Sequence, residues 1–325
     1  MIWLTWRQFR TQATVVFAAV AVLAALLAAT GPQLADLYDT VGGDLVTRIS
    51  SADQNLYYVG WAVVLAIPAV IGLFWGAPLI ARELEDGTHR LAWNQTITRT
   101  RWLATKLTLA GLATMTVAGL ASLAVTWWSG PIDQAVGGGG SDSSTPFFPR
   151  IDPMVFGARG VVPIGYAAFA FILGVTLGSL FRRALPAMAA TLAVFAAVQT
   201  AMPLWIRPHL SAPVQVTLPF TKAEPTSIGV DAVREVDFGQ PGSWVLSEQT
   251  VNASGHPTAL PPEFADCTSF ADCVAVLTKS GYQQQVTYQP AGNFWTLQWA
   301  ETGIYLGLAL GLAAFCAWWI RRRLT

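Results

Sequence analysis

The side chains of this sequence that could do chemistry are densest in one polar segment, Ala81–Lys106, which lies between two long apolar runs. After Arg82 its acids come first, as Glu83, Glu85 and Asp86, and the other basic residues follow. Charges sorted in this way suit recognition of another protein surface, because complementary charges speed association and exclude wrong partners. The simpler interpretation, a solvated loop that joins two membrane helices, stays open at this point.

A break in the chain is predicted at Gly87 and Thr88, inside the same segment. Glycine adopts a positive φ without steric penalty, so it can end one helical turn, and threonine can cap the next. After the break, Leu91 and Trp93 provide apolar positions and Arg90 provides a basic one. This pattern is typical of a short helix that lies along a membrane surface instead of crossing it.

Enzyme motifs are missing from the sequence. There is no G-x-x-x-x-G-K-[ST] phosphate loop, no H-E-x-x-H zinc motif and no G-x-S-x-G nucleophile elbow. The three histidines, His89, His209 and His256, are scattered, and none is predicted to bind a metal ion. The formal net charge is zero although the charges are unevenly distributed, and we predict no large basic surface for nucleic acid. We therefore expect no catalysis, no bound cofactor and no nucleic-acid binding in this chain.

Two cysteines and one acid outside the segment could also have a role. Cys267 and Cys273 are close together in a polar region. They fit a disulfide if that region faces an oxidising exterior, and two free thiols if it does not. Glu301 lies near the outer end of the last apolar run. We interpret it as an interfacial residue that meets water, in preference to a residue of a transport pathway.

The elements that must position these residues are membrane helices. Of the 325 residues, 53% are hydrophobic and only 12% are charged, whereas soluble domains carry about 25% charged residues. Six apolar runs approach or exceed the roughly 20 residues that cross a bilayer core: Ala13–Thr30, Tyr57–Ile80, Leu107–Trp128, Val161–Phe181, Ala184–Ile206 and Thr302–Ile320. The sequence predicts an all-α polytopic membrane protein with six transmembrane helices and a small α+β extracytoplasmic domain between spans five and six.

Three parts of the chain follow from these spans. Residues 1–206 are predicted to form a membrane domain with spans one to five, an N-terminal interfacial helix and the polar segment. Residues 207–293, which we call the inserted domain, contain strand-like alternation at Val214–Leu218 and Gln285–Tyr288. Residues 294–325 carry span six and a basic tail. An aromatic belt at the membrane surface is predicted where this part begins, formed by Phe294, Trp295, Trp299 and Tyr305.

Basic residues predict the orientation of the spans. Arg182 and Arg183 form a tight turn between spans four and five, and Arg321, Arg322 and Arg323 follow span six. Lysine and arginine are enriched in cytoplasmic loops close to the span ends. We therefore expect a multi-pass protein with both termini in the cytoplasm and the inserted domain outside.

The polar segment resembles the cytoplasmic coupling segment of ABC-2 type permease subunits, and we call it the coupling segment from here on. The resemblance rests on an E-x-E-x-G-T start, a Ser/Thr-Arg step and a basic residue where the next span begins, here Glu83-Leu84-Glu85-Asp86-Gly87-Thr88, then Leu91, Thr98-Arg99 and Lys106. Six spans in the same order agree with it. The large inserted domain departs from the compact members of that family.

The resemblance implies a function and partners. A bacterial permease of this kind lies in the lipid of the cytoplasmic membrane, forms a translocation pathway as a homodimer or with a paralogue, and exports its substrate. A separate ATP-binding cassette subunit binds ATP and Mg and docks on the coupling segment. The substrate stays open among drugs, lipids, peptides and polysaccharides. The docking residues would be Glu83, Glu85, Asp86, Gly87, Thr88, Arg90, Leu91 and Trp93.

A second class of function fits the size of the inserted domain. A membrane receptor, sensor or assembly protein could present such a domain outside the cell without moving a substrate. The two hypotheses differ in one requirement, because only a transporter subunit needs a soluble ATP-binding partner. Co-purification with an ATPase subunit therefore separates them.

Overall fold

The computed structural model describes residues 2–87, 99–139, 147–220, 224–228, 233–261, 263–264, 267 and 270–323. Within these residues, six helical stretches are long and apolar enough to cross a membrane. We call them spans one to six: Ala13–Arg48, Ser51–Glu85, Arg101–Trp128, Val162–Phe181, Ala184–His209 and Ala291–Arg322. The prediction of an all-α polytopic membrane protein is confirmed.

Long apolar runs without clusters of turn residues explain why these stretches are helical. The α-helices run over Ile2–Val41, Leu45–Arg48, Ser51–Ile71, Ala77–Glu85, Arg99–Trp128, Gly130–Gly137, Pro153–Phe156, Val162–Phe181, Ala184–Ala201, Phe270–Lys279 and Phe294–Arg323. Short π-helical turns interrupt spans two and five at Gly72–Gly76 and Met202–Ile206. Turns of 3-10 helix occur at Gly42–Asp44, Arg207–His209 and Ala291–Asn293.

The N-terminal interfacial helix is not a separate element, contrary to the prediction. A single helix, Ile2–Val41, runs through the aromatic and basic residues of the N-terminus into span one. The reason is that no glycine or proline stands between Ile2 and the apolar run that begins at Ala13. The residues present there propagate a helix, so nothing separates the first turns from the span.

Local capping and turns set where two spans begin and end. Span two begins at Ser51, ahead of its apolar run, because Ser50 caps it. The Ser50 hydroxyl oxygen accepts a hydrogen bond from the Asp53 N–H at 3.1 Å, which satisfies a free donor of the first turn. Span four ends at the left-handed residue Arg182, whose φ is 56°. The tight turn predicted between spans four and five is therefore confirmed.

Span four is the centre of the bundle, because most of its residues are buried against other elements. It meets span two with backbone against backbone. A Cβ atom at Gly174 would lie 2.4 Å from the Gly72 carbonyl oxygen, and one at Gly178 would lie 2.4 Å from the Ala77 carbonyl oxygen. Both distances are far below a van der Waals contact. Glycine therefore lets the two helices approach more closely than any side chain would allow.

The inserted domain combines strands with a helix, as predicted. Its described strands are β1 (Val214–Pro219), β2 (Glu224–Ile228), β3 (Val233–Asp237), β4 (Trp244–Val251) and β5 (Gln283–Gln289). β1, β5 and β4 form an antiparallel sheet in that order, and β2 pairs with β3. A disulfide joins Cys267 to Cys273 on the helix Phe270–Lys279, with the two Cα atoms 5.3 Å apart.

The aromatic residues at the start of span six divide into two groups. Trp295 and Trp299 are 48% and 62% exposed and face outwards, as expected of a membrane-surface belt. Phe294 and Tyr305 are 2% and 0% exposed and belong to the core around span four. The prediction of a four-residue belt is therefore wrong for these two. The helical period explains the division, because residues on opposite faces of one helix meet different surroundings.

Candidate functional site

An ion pair joins the two ends of the coupling segment, where span two ends and span three begins. The Lys106 ammonium donates a hydrogen bond to the Glu83 carboxylate, and the two side chains are 5% and 19% exposed. The ammonium nitrogen also lies 4.7 Å from the centre of the Trp102 ring, which adds a cation–π contact. The end of span two is therefore held against the first turns of span three.

A second contact joins the coupling segment to span five. The Ala184 N–H donates a hydrogen bond to the Glu85 carboxylate at 3.3 Å. Ala184 is the first residue of its helix, where backbone N–H groups have no partner within the helix and the helix dipole favours negative charge. Glu85 therefore stabilises the beginning of span five from the end of span two.

The remaining predicted docking residues fall into two groups. Asp86 is exposed, and Gly87 adopts a φ of 70°, the positive value on which the predicted break depends. The other four, Thr88, Arg90, Leu91 and Trp93, lie outside the described residues, so the predicted surface helix stays a prediction. Docking roles for Glu83 and Glu85 also stay predictions. Their contacts with Lys106 and Ala184 nevertheless give these two acids a reason to be present that needs no partner protein.

Replacing Lys106 tests whether the contact with Glu83 supports the fold. We expect Lys106→Met to reduce the free energy of unfolding by about 1–3 kcal/mol, because it removes the ammonium group that pairs with the largely buried Glu83 carboxylate. The measurement is the midpoint of thermal unfolding in detergent. Lys279→Met, at an exposed position of the inserted domain, is the control and should leave the midpoint unchanged. Equal midpoints for both variants would contradict the structural role of the pair.

A buried polar cluster lies at the opposite end of the bundle. We call it the Arg207 cluster, and it consists of Tyr166 from span four, Arg207 from span five and Glu301 from span six. The Arg207 guanidinium donates from Nε to Glu301 Oε2 at 2.7 Å and from Nη2 to Oε1 at 3.0 Å. The Tyr166 hydroxyl donates to the same carboxylate. One carboxylate therefore holds three spans together.

Gln298 extends this linkage, one turn before Glu301 in span six. Its Oε1 accepts hydrogen bonds from the N–H groups of Val161 and Val162, each at 2.9 Å, and its Nε2 donates to the Phe156 carbonyl oxygen at 3.2 Å. Two free donors at the start of span four are thereby satisfied. Gln298 is fully buried. The side-chain hydrogen bonds of Gln298 therefore fasten the beginning of span four to span six.

The interpretation of Glu301 as a residue that meets water is wrong. Its exposure is 0%, and that of Arg207 is 2%. Burying the carboxylate is feasible because the guanidinium pairs with it in a bidentate geometry and also stacks 4.2 Å from the centre of the Phe156 ring. The sequence contained a signal for this pair. Basic residues are enriched at the cytoplasmic ends of spans, whereas Arg207 directly follows the end of span five that is predicted to lie outside.

The chemistry of the two ends is that of linkage between helices. Each end provides ion pairs and hydrogen bonds between different spans, which fix the relative positions of helices. Across the described residues, no group of three or more His, Cys, Asp or Glu side chains could hold a metal ion. The contacts at the two ends therefore set how the spans pack against one another.

Comparison with known families agrees with this arrangement. The family model described as "ABC-2 membrane transporter related" matches residues 17–207, which include the coupling segment and most of the first five spans. The match ends at Arg207, where the inserted domain begins. Comparison with curated proteins and with solved structures finds no match. Because the matched stretch is more than half of the 325 residues, the chain belongs to the ABC-2 membrane transporter related family.

Proposed function

We propose that this ABC transporter permease is an exporter subunit that works as a dimer, with a second copy or a paralogue. Separate ATP-binding subunits dock on the coupling segment and carry the ATP and Mg. The observation that carries the proposal is the pair of contacts Glu83–Lys106 and Glu85–Ala184. Through them, a force applied to the end of span two also acts on spans three and five.

Span four provides the connection to the far end of the bundle. Its glycines Gly174 and Gly178 contact the backbone of span two directly, without side chains in between. A displacement of span two therefore displaces span four as well. At its other end, span four is bound to spans five and six by the Arg207 cluster. We infer that docking and release of ATP-binding subunits bias the bundle between two packings, one open to each side of the membrane.

The division of labour follows from the sequence. This chain lacks a phosphate loop, so ATP hydrolysis is assigned to the partner subunit. The ATP-binding partner binds one packing more tightly than the other, and the permease supplies the two packings. Export as the direction of transport rests on the family resemblance.

Docking is tested by reversing the charge at Asp86, an exposed acid in the described part of the coupling segment. We expect Asp86→Lys to weaken co-purification of the ATP-binding subunit by about tenfold and to make the remainder sensitive to salt, since a rim charge acts on association. Asp39→Lys is the matched control, with the same change at an exposed position in the helix of span one. If both variants retain the ATP-binding subunit like the parent, the docking proposal fails.

Orientation is tested by cysteine labelling in intact cells. Asp86→Cys and Gln240→Cys each place a thiol at an exposed position, the first in the coupling segment and the second in the inserted domain. A membrane-impermeant reagent should label Gln240→Cys and spare Asp86→Cys until the cells are broken. The native Cys316 is buried and gives little background. Labelling of Asp86→Cys in intact cells, with Gln240→Cys unlabelled, would contradict the proposed orientation and indicate the opposite one.

A further inference from the structure

A cavity of about 520 Å³ opens where the ends of three spans meet the inserted domain. Its wall includes Tyr38 from the helix of span one, Thr126 from the last turn of span three and Trp295 from the first turn of the helix Phe294–Arg323, together with Gly242 of the inserted domain. Spans end where lipid headgroups meet water. The volume falls within the roughly 300–1,000 Å³ of pockets that hold small molecules.

One arginine of the cavity wall has donors without acceptors. Arg159 is 0% exposed, and its Nε donates to Asp133 Oδ2 at 3.2 Å. Its Nη1 and Nη2 have no hydrogen-bond partner in the part of the chain that the structure describes. A guanidinium carries five N–H donors, and unpaired donors of a buried charged group are unfavourable. These two nitrogens therefore favour any guest that brings acceptor oxygens into the cavity.

The charge of the cavity selects the kind of guest. A second arginine, Arg150, also lines it, with its guanidinium 4.7 Å from the centre of the Phe294 ring. Asp133 compensates only one of the two arginines. Burial raises the pKa of the Asp133 carboxyl, although Arg159 opposes that shift. The cavity therefore favours an anion, and the planar fork of a guanidinium matches the oxygens of a phosphate.

We propose that this cavity binds a phosphate group through Arg159 and Arg150. The phosphate belongs either to a phospholipid headgroup or to a soluble phosphomonoester, and the position at the span ends favours the lipid. Trp295, half-exposed at the edge of the cavity, is placed to contact the glycerol and the upper acyl chain. This site lies at the opposite end of the bundle from the coupling segment, so the proposal does not depend on the docking of an ATP-binding subunit.

Native mass spectrometry of the purified full-length protein in detergent tests the proposal. The lipid probe is phosphatidylglycerol, the soluble probe is glycerol 3-phosphate, and diacylglycerol serves as the lipid without a phosphate. We expect one phosphatidylglycerol to bind and diacylglycerol not to compete. Arg159→Gln should weaken binding by about tenfold or more, and Arg150→Gln by about three- to tenfold, because each removes a charged donor.

Arg48→Gln is the matched control, since it removes the same charge from an exposed arginine at the end of span one, outside the cavity. It should bind like the parent. Arg159→Gln also removes the partner of Asp133, so its thermal unfolding is compared with that of the parent. Arg150→Gln alters an exposed residue and tests the proposal without this complication.

The outcomes separate the two sources of phosphate. Binding of phosphatidylglycerol alone supports the lipid, and binding of both probes supports recognition of the phosphate itself. If neither probe binds, the proposal is wrong. It is equally wrong if Arg150→Gln and a folded Arg159→Gln bind phosphatidylglycerol as tightly as Arg48→Gln does, because water alone would then satisfy the Arg159 donors.

Discussion

Replacement of Arg207 by methionine is expected to reduce the free energy of unfolding by about 3–5 kcal/mol, because it leaves the Glu301 carboxylate buried without its counter-charge. The same loss is expected for Glu301→Gln, which removes the charge that pairs with the guanidinium. Both side chains are at most 2% exposed, so water cannot replace the missing partner. The measurement is the fraction of protein that stays monodisperse in detergent as temperature rises.

The double variant Arg207→Met with Glu301→Gln provides the control. It removes both charges, so no unpaired charge stays buried. The double variant should therefore lose clearly less unfolding free energy than the sum of the two single losses. Additive losses would show that the two side chains act independently. Single losses below about 1 kcal/mol, the range of exposed pairs, would contradict the buried ion pair.

Gly174→Ala is expected to have the second large effect. The added Cβ would lie 2.4 Å from the Gly72 carbonyl oxygen and 2.7 Å from the Ala77 backbone nitrogen, and backbone atoms cannot rotate away as a side chain would. Spans two and four would have to separate, at a cost of about 1–3 kcal/mol or more. We expect a lower thermal midpoint and loss of ATP hydrolysis in the complex with the ATP-binding subunit.

Gly307→Ala is the matched control for this prediction. Gly307 lies in span six, and a Cβ atom there would have no other atom within 4 Å. The same substitution should therefore be neutral or slightly stabilising, because alanine is the better helix former. Similar midpoints for the two variants would mean that spans two and four do not touch through their backbones.

The spans could be predicted from the sequence because the thickness of a bilayer sets a minimum length for every apolar run. Their ends were less predictable. Ser50 extends span two beyond its apolar run by capping it, and the α-helix of span six begins with Phe294, ahead of its apolar run, because a helix continues until a breaker or a cap ends it. Strands β1 and β5 were recognisable from their alternation, which is the pattern of a sheet with one buried face.

The contacts between spans could not be predicted in the same way. Arg207 and Glu301 are 94 positions apart, and Glu83 and Lys106 are 23 apart, so no local spacing relates the partners. A periodicity reports which face of a helix is apolar, and it does not report which neighbour covers that face. For this reason Glu83 was predicted to face a partner protein and Glu301 to face water, whereas each pairs with a basic residue of another span.

The ATP hydrolysis of the complex, measured with charge variants of Glu83 and Lys106, tests most directly whether the coupling segment drives the bundle. Glu83→Lys places two cations together, and we expect the variant to assemble with the ATP-binding subunit but to lose most of the hydrolysis that assembly stimulates. The exchange of both residues, Glu83→Lys with Lys106→Glu, restores an ion pair and should recover at least about half of that hydrolysis, since the coupling energy belongs to the pair. If Glu83→Lys hydrolyses ATP like the parent, the ion pair between Glu83 and Lys106 has no part in transmission, and the account is contradicted.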